Sequence, residues 1–558
     1  MRWLPLALFL LAGCQAALPA PYDLLQAALV SQNTPALIAL AARGGYPGLL
    51  AARALAEDQV LPAFLRAPYA YRWANFLERA QAFGPEDQPG PAWALAAPLL
   101  AEAGDRRRAA IAYAHLLPDP QAAQALLHLE HGDALYQTLF DGGAYALLLK
   151  VLPEGVRPDL RARSLYLLGH YRESIPFYQA WARENRRGWL GLAWAYWMSG
   201  HHRQALAALQ HYPQPDGFYA LGVMLEALGQ TQAAIRAYEQ STAQGIWHAA
   251  GLLEREGHPH QALSQYLRIA SDAQSPGPAA AYRAWVLARR LNLPAQEQEA
   301  WADLQGGYAL LAGKPYTLPQ VPSPILPELS QVQIAQALEA AGQTSWARGE
   351  LRYSLLHTQD PAAQLALDEA LYQAGAYREA VRWAEQLPPS RLDLELRYPR
   401  PYRSWVEEAA HQEGLDPRLI WAVMRVESRF DPLAESRTGA LGLMQFVAPT
   451  WQDVARMLHQ NPPASPTDPQ AAILYGARYL AWLFQACQAW TGLEQLACVV
   501  TAYNGGIGYV LDGLKKAHNV NDFLRFQPRN EPRHYLELVL GSYAAYQALY
   551  PQRTAAQP

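Results

Sequence analysis

The chain has 558 residues, too many for one hydrophobic core, so several domains or a repeat array are required. Hydrophobic residues make up 51% and charged residues 17%, which argues against long disordered stretches. A net charge of −4 without a basic block argues against a nucleic-acid partner, and the wealth of Ala, Leu, Trp and Tyr with few β-branched runs predicts an all-α fold.

At the N-terminus, Arg2 and the apolar stretch Trp3 to Ala12 read as a targeting segment too short to span a bilayer. Leu11-Ala12-Gly13-Cys14 resembles the lipobox of bacterial lipoproteins, which implies a signal peptide over residues 1–13, cleavage before Cys14 and lipid on that cysteine. The alternative is an ordinary secretory signal with a chance cysteine. Either way the chain is expected to be exported to a periplasmic or extracytoplasmic compartment, and the lipid would make the membrane a partner.

Residues 14–313 are expected to form a helical-repeat superhelix. A phrase of Gly, four residues, then Ala or Ser recurs as Gly104…Ala109, Gly169…Ser174, Gly200…Ala205, Gly229…Ala234, Gly257…Ala262, Gly342…Ala347 and Gly375…Ala380. A glycine that ends one helix in a left-handed conformation, followed by a small residue where the next helix packs closely, specifies a helix–turn–helix unit of about thirty residues. "GLAWAYWMSGHHRQALAAL" and "ALGVMLEALGQTQAAIRAYEQS" resemble tetratricopeptide units, though shorter and less regular, so a curved stack of helix pairs is expected. Trp189, Trp194, Tyr196 and Trp197 read as filling between helices, with a sugar-stacking surface as the alternative. His201, His202, His258 and His260 fall in turns without ligand spacing, so no metal site is assigned. The proline-rich segment 314–329 reads as an extended linker, 330–392 as a continuation of the array, and "QLPPSRLDLELRYPRPY" as a second break.

Residues 393–551 differ in character, and 552–558 form a tail. Asp416 can cap a helix beginning at Pro417, on which Ile420, Val423, Met424 and Glu427 share one stripe. Asp431-Pro432 is expected to stop that helix. A carboxyl on an apolar stripe, at the negative end of a helix dipole, has a raised pKa, which suits a general acid near neutral pH. The alternative is a partly solvated charge at a helix end. Further on, Cys487 and Cys498 flank the turn Thr491-Gly492 at nearly equal distances, so an antiparallel helix pair would bring them together. They are either a disulfide, favoured by an oxidising compartment, or two buried thiols.

The blocks "ESRFDP…S…GALGLMQ", "TAYNGG" and "EPRHYLELVL" together resemble the soluble-type lytic murein transglycosylases, glycoside hydrolase family 23, with a lysozyme-like catalytic domain behind an N-terminal helical superhelix. The resemblance spans roughly Tyr398 to Tyr550. It implies that Glu427 is the sole acid/base and that Ser428 supports it. Ser436, Gly442, Leu443, Met444, Gln445, Tyr503, Asn504, Glu531 and Tyr535 are implied as the substrate-binding set, with the Tyr503 hydroxyl facing the reaction centre. Where the family more often has Thr-Arg-Asn after the closing glutamate, Pro532-Arg533-His534 stands here, and Val447 stands where some relatives have methionine.

The implied reaction cleaves the MurNAc-(1,4)-GlcNAc bond of peptidoglycan glycan strands to 1,6-anhydromuramoyl products, in cell-wall remodelling or recycling. One carboxyl suffices if the substrate's N-acetyl group is the nucleophile, and no metal or organic cofactor is implied. The superhelix offers a surface to a cell-wall protein partner. Two other functions fit the same residues: a goose-type lysozyme, with Asp431 or Asp453 placing a water, and a lipid-anchored peptidoglycan-binding scaffold without catalysis.

Overall fold

The computed structural model describes residues 18–80, 88–274, 276–319, 321–436, 438–460, 464–515, 523 and 530–551. The expected signal peptide over residues 1–13, Cys14 and the expected tail 552–558 lie outside the described residues. Among those described there are helices and two isolated bridges, Glu435–Leu441 and Leu441–Phe446, and no strand. No described helix is long and apolar enough to cross a membrane.

The recurring phrase has a direct structural counterpart. Gly104, Gly169, Gly200, Gly229, Gly257, Gly342 and Gly375 all sit at φ between 72° and 83°, where a side chain would be strained. The small residue five positions later, Ala109, Ser174, Ala205, Ala234, Ala262, Ala347 or Ala380, is fully buried at 0% exposure in every case. Pairs such as Pro215–Ala227 with Thr231–Tyr238 and Ala243–Arg255 with Pro259–Ala270 follow from this punctuation. The aromatic residues of Arg187–Met198 are half-buried; Leu192, Ala193 and Ala195 fill the core instead. Trp189 and Trp197 cover the flank by stacking on His211 and His202, at 4.2 and 4.3 Å between centroids.

Over these residues the chain forms two units, each built from two stretches: Met1–Phe177 with Val321–Arg397, and Tyr178–Gln320 with Tyr398–Pro558. In the first, Tyr22 donates to Glu350 at 2.5 Å, and Gly349 is required because a Cβ there would lie 1.9 Å from the Tyr46 ring. Residues 314–319 and 321–329 are free of helix. The linker meets the second break, where Arg391 N–H donates to the Val321 carbonyl and Leu392 N–H to Ser323 Oγ. That break contains a short helix, Arg391–Arg397, because Ser390 Oγ accepts from Asp393 N and Arg397 pairs with Asp393 one turn on.

In the second unit, the stretch from Tyr398 contributes the helices Arg403–Glu413, Pro417–Ser428, Ala448–Met457, Pro469–Ala486, Gly492–Gly505, Ile507–Leu514 and Asn530–Leu549. The last of these packs against Pro417–Ser428, Gly492–Gly505 and the array helix Gly306–Leu311. Cys487 and Cys498 form a disulfide that ties Pro469–Ala486 to Gly492–Gly505, with Cα atoms 6.1 Å apart.

Candidate active site

The helix Pro417–Ser428 starts as its residues dictate, with Asp416 Oδ1 accepting from Arg418 N at 2.9 Å and proline at the first position. Burial works against the charge on Asp416, but bonds from Arg418 and Tyr543 outweigh it and hold its pKa low, so the cap stays ionised. The helix ends earlier than expected from Asp431-Pro432. It stops at Ser428, because Arg429 and Phe430 both turn left-handed, at φ 48° and 66°. Ser428 makes this unusual exit tenable: its hydroxyl accepts from Phe430 N at 3.1 Å and donates toward the Leu443 and Met424 carbonyls at 2.9 and 3.1 Å.

Ile420, Val423 and Met424 are fully buried, and Glu427 continues their stripe as a half-buried residue. Burial is the largest influence on its carboxyl; a hydrogen bond from Tyr535 opposes it, and the like charge of Glu531 adds to it. The net effect pushes the pKa up to about 7. Tyr535 Oη donates to Glu427 Oε1 at 2.6 Å. This places a tyrosine of the closing block, rather than Tyr503, in direct contact with the acid.

Tyr503 Oη donates to the Met444 carbonyl at 2.9 Å, and its ring stacks on that of Tyr535, 6.2 Å apart and 4° from parallel. Burial pushes both phenols up, so both remain hydroxyl donors. Tyr503 also meets Tyr479 at 5.5 Å and Phe446 at 6.0 Å, which extends an aromatic wall from Tyr535 to the helix Pro469–Ala486.

The loop 434–446 is held by its own polar groups. Ser436 Oγ accepts from Ala440 N at 2.9 Å, and Gln445 Nε2 donates to the Ala434 and Gly442 carbonyls at 3.0 and 2.9 Å. Gly442 has φ 76°, and a Cβ there would lie 2.0 Å from the Pro466 carbonyl oxygen. Leu443 and Met444 are fully buried, with Met444 against Gly476, so this pair anchors the loop and leaves the surface to its neighbours. Asn504 and Glu531 are exposed. Ser428 is buried with its hydroxyl on backbone groups, which suits support of the Glu427 helix end. Of the two aspartates weighed for placing a water, Asp431 accepts from Leu433 N at 2.9 Å in a turn, and Asp453 is exposed and paired with Arg456. Among the described residues no three His, Cys, Asp or Glu side chains converge to hold a metal.

Comparisons with known proteins bear on this arrangement. Residues 404–526 match the transglycosylase SLT domain. The chain is also similar to a membrane-bound lytic murein transglycosylase C of Photorhabdus laumondii, 37% identical over 132 residues, which are 23% of this chain and 36% of that relative. The chain thus matches little more than a third of that relative's length. In fold, the protein is similar to the 70 kDa soluble lytic transglycosylase of Escherichia coli, with a TM-score of 0.60, 18% identity and 94% of each chain covered. It is also similar to a 70 kDa soluble lytic transglycosylase in complex with bulgecin A, with a TM-score of 0.58, 17% identity and 94% of each chain covered. The fold is all-α, with a tetratricopeptide-like α-superhelix followed by a lysozyme-like domain.

Two features of the stretch from Tyr398 depart from what its sequence leads one to expect. The Tyr535–Glu427 bond joins positions 108 residues apart, which no local pattern encodes. Arg533, in the block that departs from the family pattern, is 2% exposed and lies under the Trp247 ring. A spacing of two along a helix was the available signal, because it sends two side chains to nearly opposite faces.

Proposed function

We propose that the protein is a lytic transglycosylase that cleaves the MurNAc-(1,4)-GlcNAc bond of peptidoglycan without consuming water. The observation that carries this reading is Glu427: one carboxyl with a pKa of about 7, held by a tyrosine hydroxyl, inside a module that matches the SLT domain. Near neutral pH such a group is present in both forms, as one residue serving as acid and then base requires.

In the first step Glu427 protonates the glycosidic oxygen, which leaves as the 4-hydroxyl of N-acetylglucosamine. The 2-acetamido oxygen of the muramoyl residue attacks its own anomeric carbon and forms an oxazolinium. Glu427, now a carboxylate, takes the proton of the muramoyl 6-hydroxyl. The 6-oxygen attacks the anomeric carbon, opens the oxazolinium and closes the 1,6-anhydro ring. Atoms balance without water. Tyr535 orients the carboxyl in both steps, while Ser436, Gln445 and Asn504 contact the glycan strand along the aromatic wall. The relative whose name is membrane-bound lytic murein transglycosylase C supports an extracytoplasmic site of action, with Cys14 as the lipid anchor.

Mass analysis of products from purified sacculi tests this. The expected end is 1,6-anhydromuramoyl, one water lighter than a reducing end and unlabelled in ¹⁸O water. A labelled reducing end would assign the protein to lysozyme-type hydrolysis, with Asp431 and Asp453 the carboxylates to substitute. Binding to sacculi without turnover would leave the scaffold reading.

A further inference from the structure

The helix Asn530–Leu549 carries two side chains that serve different neighbours. At 3.6 residues per turn, Arg533 and Tyr535 project about 200° apart. Tyr535 reaches Glu427. Arg533 points the other way, into the helical array, where its guanidinium carbon lies 4.7 Å from the Trp247 ring centroid. Its Nη2 donates to Gln244 Oε1 at 3.2 Å, and Tyr308 Oη approaches its carbonyl at 3.5 Å. Trp247 and Gln244 belong to one helix, Ala243–Arg255, and Tyr308 to another, Gly306–Leu311.

The backbone is pinned beside it. A Cβ on Gly307 would lie 2.6 Å from both the Glu537 carbonyl oxygen and Leu540 Cβ, so Gly306–Leu311 and Asn530–Leu549 meet at their main chains. That contact sets the distance between the helices but leaves rotation about the axis of Asn530–Leu549 to its side chains. Arg533 is the long side chain that reaches across and stacks on the array.

We propose that Arg533 is a positioning residue for the catalytic acid: its clamp on Trp247 and Gln244 sets the rotation of Asn530–Leu549 that brings the Tyr535 hydroxyl to Glu427. The array thereby acts on the reaction through one helix. The proposal rests on the transglycosylase reading for its kinetic measurement, and its second measurement does not.

Loosening the clamp has a signed consequence. The ionisable groups facing Glu427 are Tyr535 and Glu531 on Asn530–Leu549 and Tyr503 on Gly492–Gly505. Those facing Arg533 are Tyr219, Tyr266, Tyr308 and Glu537, with His248 on the Trp247 helix. The Tyr535 bond favours the carboxylate, so drawing it away raises the pKa of Glu427 and moves the alkaline limb of the rate profile to higher pH.

The test uses the full chain with Arg533→Met, Arg533→Lys, Gln244→Ala and Trp247→Leu. Arg533→Met is expected to lower kcat by about 10- to 100-fold with little change in KM, because a displaced acid costs rate at constant binding. Its alkaline limb moves to higher pH. Arg533→Lys, which keeps a cation over the ring, recovers part of both, and Trp247→Leu reproduces the effect without a change in the catalytic module. An infrared titration of the Glu427 carboxyl, taken as the difference from Glu427→Gln, shows the same upward shift whether or not substrate turns over. A lower melting temperature with wild-type kcat and pH profile in Trp247→Leu and Gln244→Ala would reduce Arg533 to a structural contact and overturn the proposal. These two array variants decide the matter if Arg533→Met does not fold. An inactive wild-type protein that still shows the infrared shift would overturn the transglycosylase reading and leave this one standing.

Discussion

Glu427 illustrates how one carboxyl is suited to catalysis at a cost in stability. Its pKa of about 7 lies above the ordinary 4.5, so between those values the folded state binds a proton that the unfolded state has released. Stability therefore falls as pH rises through that window, by up to about 3 kcal/mol, and is lowest above pH 7. Glu427→Gln removes the penalty along with the chemistry. Turnover should fall by at least about 10⁴-fold, since one group serves both proton transfers, while the melting temperature at pH 8 rises above wild type and at pH 4 does not. A glutamine variant with wild-type turnover would return Glu427 to the role of a helix-end charge. The two tyrosines should separate in the same assays. Tyr535→Phe removes the bond to the acid, so kcat drops and its alkaline limb moves to higher pH. Tyr503→Phe removes a bond to the Met444 carbonyl, so it costs about 1 kcal/mol of stability and leaves the position of the limb unchanged. Equal shifts of the limb in both would show that the hydroxyls act together on Glu427.

At the scale of helices, legibility followed the range of the interaction. Turn glycines and the small residues after them are local requirements, so seven of each could be placed from spacing alone. The acid's helix was readable at its start, where Asp416 and Pro417 are neighbours, and misread at its end. There the stop depends on Ser428 bonding to Leu443, fifteen residues away. The same limit explains Leu443 and Met444: the motif places them near the groove, but only their full burial, with Met444 against Gly476, shows that they anchor its loop. The cysteines were intermediate, since their symmetry about a turn is local and their pairing is not. That disulfide closes a loop with a sequence separation of 11 and joins the helices that carry Tyr479 and Tyr503. Replacing both cysteines with alanine should cost roughly 2–3 kcal/mol by the chain-entropy model. Urea denaturation of the variant, and of wild type under reductant, should show the same lowered midpoint. A wild-type midpoint indifferent to reductant would mean that the bridge does not form in the native protein.

For the whole molecule, the question is what a cut at Tyr398 would leave. The catalytic stretch has its own caps, core and disulfide, which argues that residues 398–551 retain helical structure alone. Yet one face of Asn530–Leu549 is shaped for a partner. Arg533, Leu540 and Gly541 meet Trp247, Gln244 and Gly307, and the cut would leave that face in water. Losing buried apolar area of this kind costs about 25 cal/mol per Å². It also frees the helix that presents Tyr535. The excised module should therefore show native-like far-ultraviolet dichroism, a lower urea midpoint than the full chain, and a reduced kcat on soluble glycan strands. A longer piece beginning at Tyr178 keeps Trp247, Gln244 and Gly307 and should recover both quantities, although it lacks residues 1–177. Full recovery by the short module alone would show that the array contributes nothing to the catalytic centre. Failure of the longer piece to improve on it would locate the array's contribution outside the contact with Asn530–Leu549.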